Sequence, residues 1–291
     1  MFSPAHKTHL SLMIEGVEHD FQVLGYSGEA VANRPFFFNV ELASERPGLD
    51  LECFLDLEAF FSFDRNGDGI HGRIYHIAQV GQGPRSTRYR LSLVPHLSYL
   101  RHRINQRIFQ QFSVPGIVAL ILEEHGIVGD AYRFELSESY PERDYRTQYG
   151  ETDLHFVQRL CEEEGIRFHF RHSAQGHVLV FADGQAVLPW GVLYRPPLVH
   201  AKPRVAESQT ALVIAVEDDE GRCDRRLARI QVKFPWDPED RFDDKSCCWL
   251  TVASDWCCAV TPPRTGMEVM VSFLGNDPDQ PRVSGCLCCR H

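Results

Sequence analysis

Residues 229–237 read RIQVKFPWD. The first six positions are β-branched and aromatic enough for a short strand, and Pro235 stops it. Four similar stretches share the C-terminal part of the chain, at 209–216, 248–253, 268–273 and 281–286. Five short strands in fewer than about a hundred residues predict a small closed or partly open barrel of the OB type.

Upstream of 209 the composition changes. Pro189, Pro196, Pro197 and Pro203 break regular structure across 184–208, which reads as a linker. Before it, residues 19–24, 35–42, 70–80 and 87–94 read as strands, with Gly81 to Pro84 as the turn between the last two. Two helices follow. One runs over 114–125 behind Ser113 as N-cap, the other over 153–164 behind Thr152. Both end on Glu-Glu-x-Gly-Ile, at Glu123 to Ile127 and Glu162 to Ile166, a pattern that predicts a glycine-terminated helix stop. The glutamates there are expected to be solvated, because the helix C-terminus disfavours negative charge. A hairpin over 166–171 and 177–182 closes this part.

The expected fold is therefore mainly β. A hub portion of mixed α and β structure, an N-terminal barrel-like domain with a helical insertion, precedes a five-stranded OB-type barrel. The expected boundaries are 1–183, a linker at 184–208, the OB domain at 209–286 and a tail at 287–291.

The chain has 291 residues, is 43% hydrophobic and carries a formal net charge of -10. That acidity disfavours nucleic acid and anionic membranes as partners. An OB fold that grips single strands needs a cationic groove, and neither half is basic. The N-terminus MFSPAHKTHLSLMIEG has no apolar core of a secretion signal, and no apolar run suits a stable membrane anchor. Synthesis in the cytoplasm is expected, and with it reduced thiols.

Several motifs invite chemistry and read more plainly as structure. Asp64 to Gly69 (DRNGDG) matches the start of a calcium loop, but Tyr75 stands where the bidentate glutamate belongs, so a hairpin turn is expected. Gly25-Tyr26-Ser27-Gly28 lacks the last glycine of a nucleophile elbow and reads as a loop between strands. His169, His172 and His177 are interleaved with Arg167 and Arg171 and read as surface histidines on a strand pair. Asp153 with Glu162, Glu163 and Glu164 reads as a solvated helix end, since consecutive residues point around a helix. Eight of ten cysteines lie at or after Cys223, yet their one C-x-x-C spacing, Cys286 to Cys289, has no second knuckle to pair with. In Cys247-Cys248 and Cys257-Cys258 one thiol is expected to face in as a small apolar group. Cys286, Cys288, Cys289 and His291 could supply four zinc ligands, though in a cramped loop. No phosphate-binding, dinucleotide or zinc-protease motif appears. No catalytic residue and no cofactor is expected.

At the C-terminal module the residues become distinctive. Arg229 to Asp237, with Val232, Phe234 and Trp236, resembles the R-V-K-V-x-F-x-W-D strand of the VgrG family. Ser246 to Ala253, with Cys248 and Trp249, is similar to its S-S-C-W-x-R-V-A segment. Pro263-Arg264-Thr265-Gly266 resembles P-R-x-G, and Asp277-Pro278-Asp279 lies in a match to F-L-x-G-D-P-D-x-P. Residues 88–95, 107–115 and 145–170 (YRTQYGETDLHFVQRLCEEEGIRFHF) resemble the hub part of the same family.

The resemblance implies a spike or tip protein of a type VI secretion system, related to contractile-phage baseplate hubs. It implies a homotrimer that docks on an Hcp-like tube protein and baseplate proteins, carries an effector or tip protein, and is secreted without a cleaved signal peptide. Trp236 and Trp249 would be packing residues, and Asp277-Pro278-Asp279 a turn. Three departures stand out. The family's second tube-like portion, expected between Ala182 and Tyr194, is nearly absent. A glycine-rich segment is shortened to Trp256 to Val260. No needle is expected after the fifth strand, where the family carries one. Two other readings stand beside the spike: a degenerate fragment, and an OB-type module that binds a partner protein or saccharide. An enzyme is the third class; effector domains of related spikes are usually appended after the needle, and none is expected here.

Overall fold

The computed structural model describes residues 10–46, 48–63, 67–183, 196–216, 229–237, 248–253 and 263–287. The chain divides into two compact units. The first comprises Met1–Leu100, Leu122–Ser139 and Cys161–Pro197; the second comprises Arg101–Ile121, Tyr140–Leu160 and Leu198–His291.

The first unit is built on a six-stranded sheet. Its strands are β1 (Ser11–Ile14), β2 (Gln22–Glu29), β3 (Phe37–Ser44), β4 (Glu58–Ser62), β5 (Gly69–Gln82) and β6 (Thr87–Val94). They lie in the order β1-β4-β5-β6-β3-β2, all pairs antiparallel. Strand β3 buries every second residue, Phe38, Val40, Leu42 and Ser44, as the pleat requires. Tyr26 of β2 meets Phe61 of β4 edge-on at 5.0 Å, so the sheet curls its two ends round a shared core. Gly25 to Gly28 lie inside strand β2 rather than in a loop. Strand β5 runs on to Gln82, which moves the predicted turn to Gly83 and Ser86, joined by a 2.9 Å backbone hydrogen bond. Ser62 pairs with Gly69, so residues 63–68 connect two antiparallel strands; Asp64 and Asn66 lie outside the described residues.

A three-stranded sheet completes this unit: β8 (Tyr132–Glu135), β10 (Arg167–Ser173) and β11 (Gly176–Ala182), in the order β10-β11-β8. Here β11 runs parallel to β8. Asn33, at φ 66° and buried, pins a loop to this sheet. Its backbone N–H donates to the Phe168 carbonyl, and its side-chain oxygen accepts from the Phe168 N–H, both at 2.9 Å.

Helices α1 (Val114–Glu124) and α2 (Asp153–Glu164) start and stop as the sequence predicts. The Ser113 hydroxyl accepts from Gly116 N–H, and Thr152 Oγ1 accepts from His155 N–H. Gly126 and Gly165 take φ of 74° and 77°. Ile127 N–H then reaches the Leu122 carbonyl and Ile166 N–H the Cys161 carbonyl, the six-to-one bond of a Schellman stop. Glu123 and Glu124 are exposed, as expected; Glu162 is not, with a relative exposure of 3%. It follows Leu160 and Cys161 on the inward side of α2, and helix geometry places it there whatever its charge.

In the second unit, β7 (Ile104–Phe109) pairs antiparallel with β9 (Arg146–Thr152). The remaining strands are β12 (Gln209–Val216), β13 (Arg229–Lys233), β14 (Cys248–Thr251), β15 (Glu268–Phe273) and β16 (Pro281–Cys286). Their order is β14-β13-β12-β15-β16. A parallel bridge from Val252 to Val283, with Ala253 N–H on the Val283 carbonyl, joins the two edge strands and closes the barrel. Val213, Ile230, Val232, Phe234, Cys248, Leu250, Val269, Val271 and Val283 fill it. Cys248 faces inward as a small apolar group; Cys247, Cys257 and Cys258 lie outside the described residues.

Gly72 of β5 is a point of close approach. A methyl group there would lie 2.7 Å from the Val94 carbonyl oxygen and 3.0 Å from the Leu93 side chain. Gly72→Ala should therefore destabilise the first unit by about 1–3 kcal/mol, the usual cost of overpacking, in urea unfolding. Gly25→Ala, whose methyl would meet nothing within 4 Å, should change stability by less than about 0.5 kcal/mol.

Candidate functional site

Strand β9 is the element on which the second unit turns, and it is held at both ends by buried carboxylates. At its start, Arg146 Nη1 donates to Asp279 Oδ2 at 2.8 Å, and Thr147 N–H donates to Asp279 Oδ1 at 2.7 Å. The Thr147 hydroxyl donates to the Pro278 carbonyl at 3.0 Å. Lys202 Nζ lies 2.6 Å from Asp279 Oδ2 and 2.6 Å from Asp277 Oδ1. The Asp279 side chain is only 5% exposed. Two cations and an amide on one desolvated carboxylate satisfy it, where a single unpaired charge would not be tolerated. Asp277, Pro278 and Asp279 do form the predicted turn between β15 and β16, with Gln280 N–H on the Asp277 carbonyl. The turn is also a latch.

At the other end of β9, Asp153 is fully buried at the first turn of α2, where the helix dipole favours a negative charge. It accepts from Arg103 Nε, from Asn105 Nδ2 at 2.9 Å and from Gln148 Nε2 at 2.8 Å, with Arg107 Nη2 at 3.7 Å. Next to it, Glu151 takes the Arg159 guanidinium at 2.7 Å; Arg159 is 1% exposed. The expected solvated helix end is thus a buried ionic knot at Asp153. The charged and polar side chains of β7 and β9 are turned inward and neutralise one another.

The opening stretch supplies the apolar side of this grip. Trp236 stacks on Phe234 with ring centroids 4.8 Å apart and meets Tyr149 of β9 edge-on. Its indole N–H donates to Gln209 Oε1 at 2.7 Å. Val232 and Asp237 are buried, and Arg229 is exposed at the start of β13. Gly266, at φ 84°, lets the chain turn after Pro263 and Arg264. Trp249 departs from the packing role expected of it. It is 38% exposed and faces outward on β14, because inward Cys248 and Leu250 put position 249 on the other face. Trp249, Arg229 and Arg282 border a groove of about 1100 Å³ with Gln111, Asp144 and Gln280.

In the first unit the histidines also depart from expectation. His172 and His177 are cross-strand partners and half-buried, and they meet buried His71 of β5. His169 lies on the opposite face by alternation. His71 is about a hundred residues away, so sequence proximity does not reveal it. Among the described residues no group of three or more His, Cys, Asp or Glu side chains is arranged to hold a metal ion. Cys286 is half-buried at the end of β16; Cys288, Cys289 and His291 lie outside the described residues. Among the described residues no helix is long and apolar enough to cross a membrane.

A hub-like portion joined to a five-stranded OB barrel is the architecture of contractile-injector hub proteins, and the comparisons agree. The model of the phage tail baseplate hub (GPD) family matches residues 29–220. That of the type VI secretion system/phage-baseplate injector OB domain matches residues 209–287. The chain is 37% identical over 460 residues to the type VI secretion system spike protein VgrG4b of Pseudomonas aeruginosa, covering 99% of itself and 57% of that protein. It is 32% identical over 460 residues to VgrG5 of the same organism, covering 99% of itself and 58% of that protein. It also resembles the solved E. coli c3393 protein, a type VI secretion component with structural similarity to T4 tail proteins gp27 and gp5. That likeness has a TM-score of 0.78 at 21% identity, over 95% of this chain and 99% of that one. The chain belongs to the phage tail baseplate hub family, among the relatives of the VgrG spike proteins. It spans less than three fifths of the length of the curated relatives it matches. Both set 460 residues against a chain of 291, so at least 169 (460 less 291) have no counterpart here.

The latch makes a stability prediction. Asp279→Ala should cost about 3 kcal/mol in urea unfolding of the second unit, because it leaves Arg146 and Lys202 facing one another without their shared anion. The latch should also respond to acid. Burial alone would raise the Asp277 carboxyl, but the hydrogen bonds from Lys202 and Asp279 N–H hold it below its ordinary 3.8. A depressed carboxylate stabilises above that ordinary value and loses its contribution as pH falls through the lowered one. Lys202→Gln should therefore flatten part of the stability loss seen below about pH 4.

Proposed function

We infer that the chain is a structural spike component of a type VI secretion apparatus. One observation carries this: a hub-family match followed in order by an injector OB match, in a chain whose relatives are named spike proteins. On this reading three copies associate, dock on an Hcp-like tube protein and baseplate proteins, and travel with an effector or tip protein. The protein is made in the cytoplasm and secreted by the apparatus. It needs no catalytic residue or cofactor, because docking and load bearing are tasks of surface and shape. Residues 1–183 act as the hub portion, 184–208 as linker, 209–286 as the needle base and 287–291 as tail. The VgrG-like residues Arg229, Val232, Phe234, Trp236, Asp237, Cys248, Pro263, Arg264, Gly266 and Asp277 to Asp279 are structural. Sedimentation of the purified chain, alone and with an Hcp-like tube protein, should give a three-chain mass and co-sedimentation. A monodisperse monomer that ignores the tube would favour a degenerate fragment, which the at least 169 unmatched residues of the relatives also support.

The groove favours a second reading, an OB-type module that binds a saccharide or partner protein. Trp249 offers a stacking platform, while Arg229 and Arg282 against Asp144 leave the lining without the strong positive charge that nucleic acid needs. Calorimetric titration with chitotetraose should then give saturable binding that Trp249→Ala weakens at least about tenfold, on the scale of one lost stacking contact. Heats of dilution alone would remove the saccharide form of this reading.

A further inference from the structure

His71, His172 and His177 come together where strand β5 of the six-stranded sheet meets the β10–β11 hairpin. The geometry limits how many protons they can carry. The His71 backbone N–H donates to His172 Nδ1 at 3.3 Å, so that nitrogen must keep its lone pair and His172 must be neutral. His71 Nδ1 and His177 Nδ1 are 3.2 Å apart. Only one proton fits between them: one ring donates and the other accepts. The cluster therefore tolerates at most one imidazolium, and a second proton must break a contact.

We propose that this cluster is an acid-sensitive latch, in which protonation of its imidazoles releases the β10–β11 hairpin from β5 while the five-stranded barrel stays folded.

The surroundings oppose protonation. Phe36 meets His172 and His177 edge-on at 5.0 and 5.9 Å, and Phe170 lies 5.8 Å from His177. The nearest anion is Glu58 of β4, whose Oε2 is 3.7 Å from His71 Nε2. Its other oxygen is taken by Arg73 of β5 at 3.1 Å, and Arg73 also pairs with Asp56. Glu15 favours the charged form of His71 from further away, while Arg73 and His96 oppose that of His177. Burial comes first in each case. It lowers His71, takes His172 down to about 4 and, with the neighbouring cations, takes His177 down to about 3. Groups depressed below their ordinary 6.5 leave the fold at full stability above that pH. Stability is then lost as pH falls from 6.5 towards 4 and 3. A cavity of about 110 Å³ lined by Glu58, His71, Arg73, His96, Phe170 and His177 gives entering water a place, with room for about three molecules.

Hydrogen exchange of the full chain at pH 7.5 and pH 5.0, corrected for intrinsic rates, tests the latch. Each imidazole that must stay neutral should lower protection of peptides covering β10 and β11 by about 30-fold at pH 5.0, 1.5 units below the ordinary value. Peptides covering β12 to β16 should be unchanged. The double variant His172→Gln/His177→Gln should lose that dependence. Hairpin protection within about threefold at the two pH values overturns the proposal, as does an undiminished dependence in the double variant. Should that variant fail to fold, nitrogen NMR of the wild-type imidazoles decides the point. His172 Nδ1 unprotonated at pH 6 supports the latch; imidazolium signals from His172 and His177 in the folded protein at that pH sink it.

Discussion

The carboxylate of Asp279 organises the second unit. It is nearly inaccessible to water, and it gathers a guanidinium, an ammonium and a backbone amide from segments far apart in sequence. Any two of these groups without the anion would repel one another, or would be desolvated for nothing. The arrangement is favourable only when all its members are in place, so it selects one register of β9 against the OB barrel. Asp153 repeats the device at the opposite end of the strand. Between the two carboxylates β9 is held along its length, and Tyr149 in its middle supplies the apolar contact to Trp236.

The two units are stabilised in different ways. The first rests on an aromatic interior in which Phe21, Phe36, Phe38, Phe61 and Tyr89 interlock round the six-stranded sheet. Such packing is tolerant of sequence provided volume and period are kept. The second joins an aliphatic barrel to a pair of charged strands, and its charge pairs demand exact partners. Some of the motif residues that carry the family resemblance, Trp236, Pro278 and Asp279, lie where the barrel grips β9.

Local signals made most of the architecture readable in advance. Helix caps, glycine stops, the β10–β11 hairpin and the five barrel strands are written in neighbouring residues, and they fold as written. What escaped was tertiary. Strands β7 and β9, INQRIF and RTQYGET, carry arginine, glutamate and glutamine at inward positions, so they lack the apolar alternation that marks a half-buried strand. Their partners make them buriable, and no local window contains those partners. The histidine cluster needed His71, remote in sequence. Trp249 differs for the opposite reason: the resemblance implies a packing residue, although its neighbours Cys248 and Leu250 take the inward face. The latch residues were legible as a motif and as a turn, but their load was not.

The order in which the units draw on the chain has a further consequence. The backbone passes between them five times, and the first unit ends at Pro197 while the second needs residues up to the last strand. A nascent chain leaving the ribosome therefore completes the first unit early. Strands β7 and β9, already synthesised, must wait about a hundred residues for the barrel that covers Ile108, Tyr145 and Tyr149. Arg146 and the Thr147 amide wait as long, because Asp279 lies in the turn before the last barrel strand.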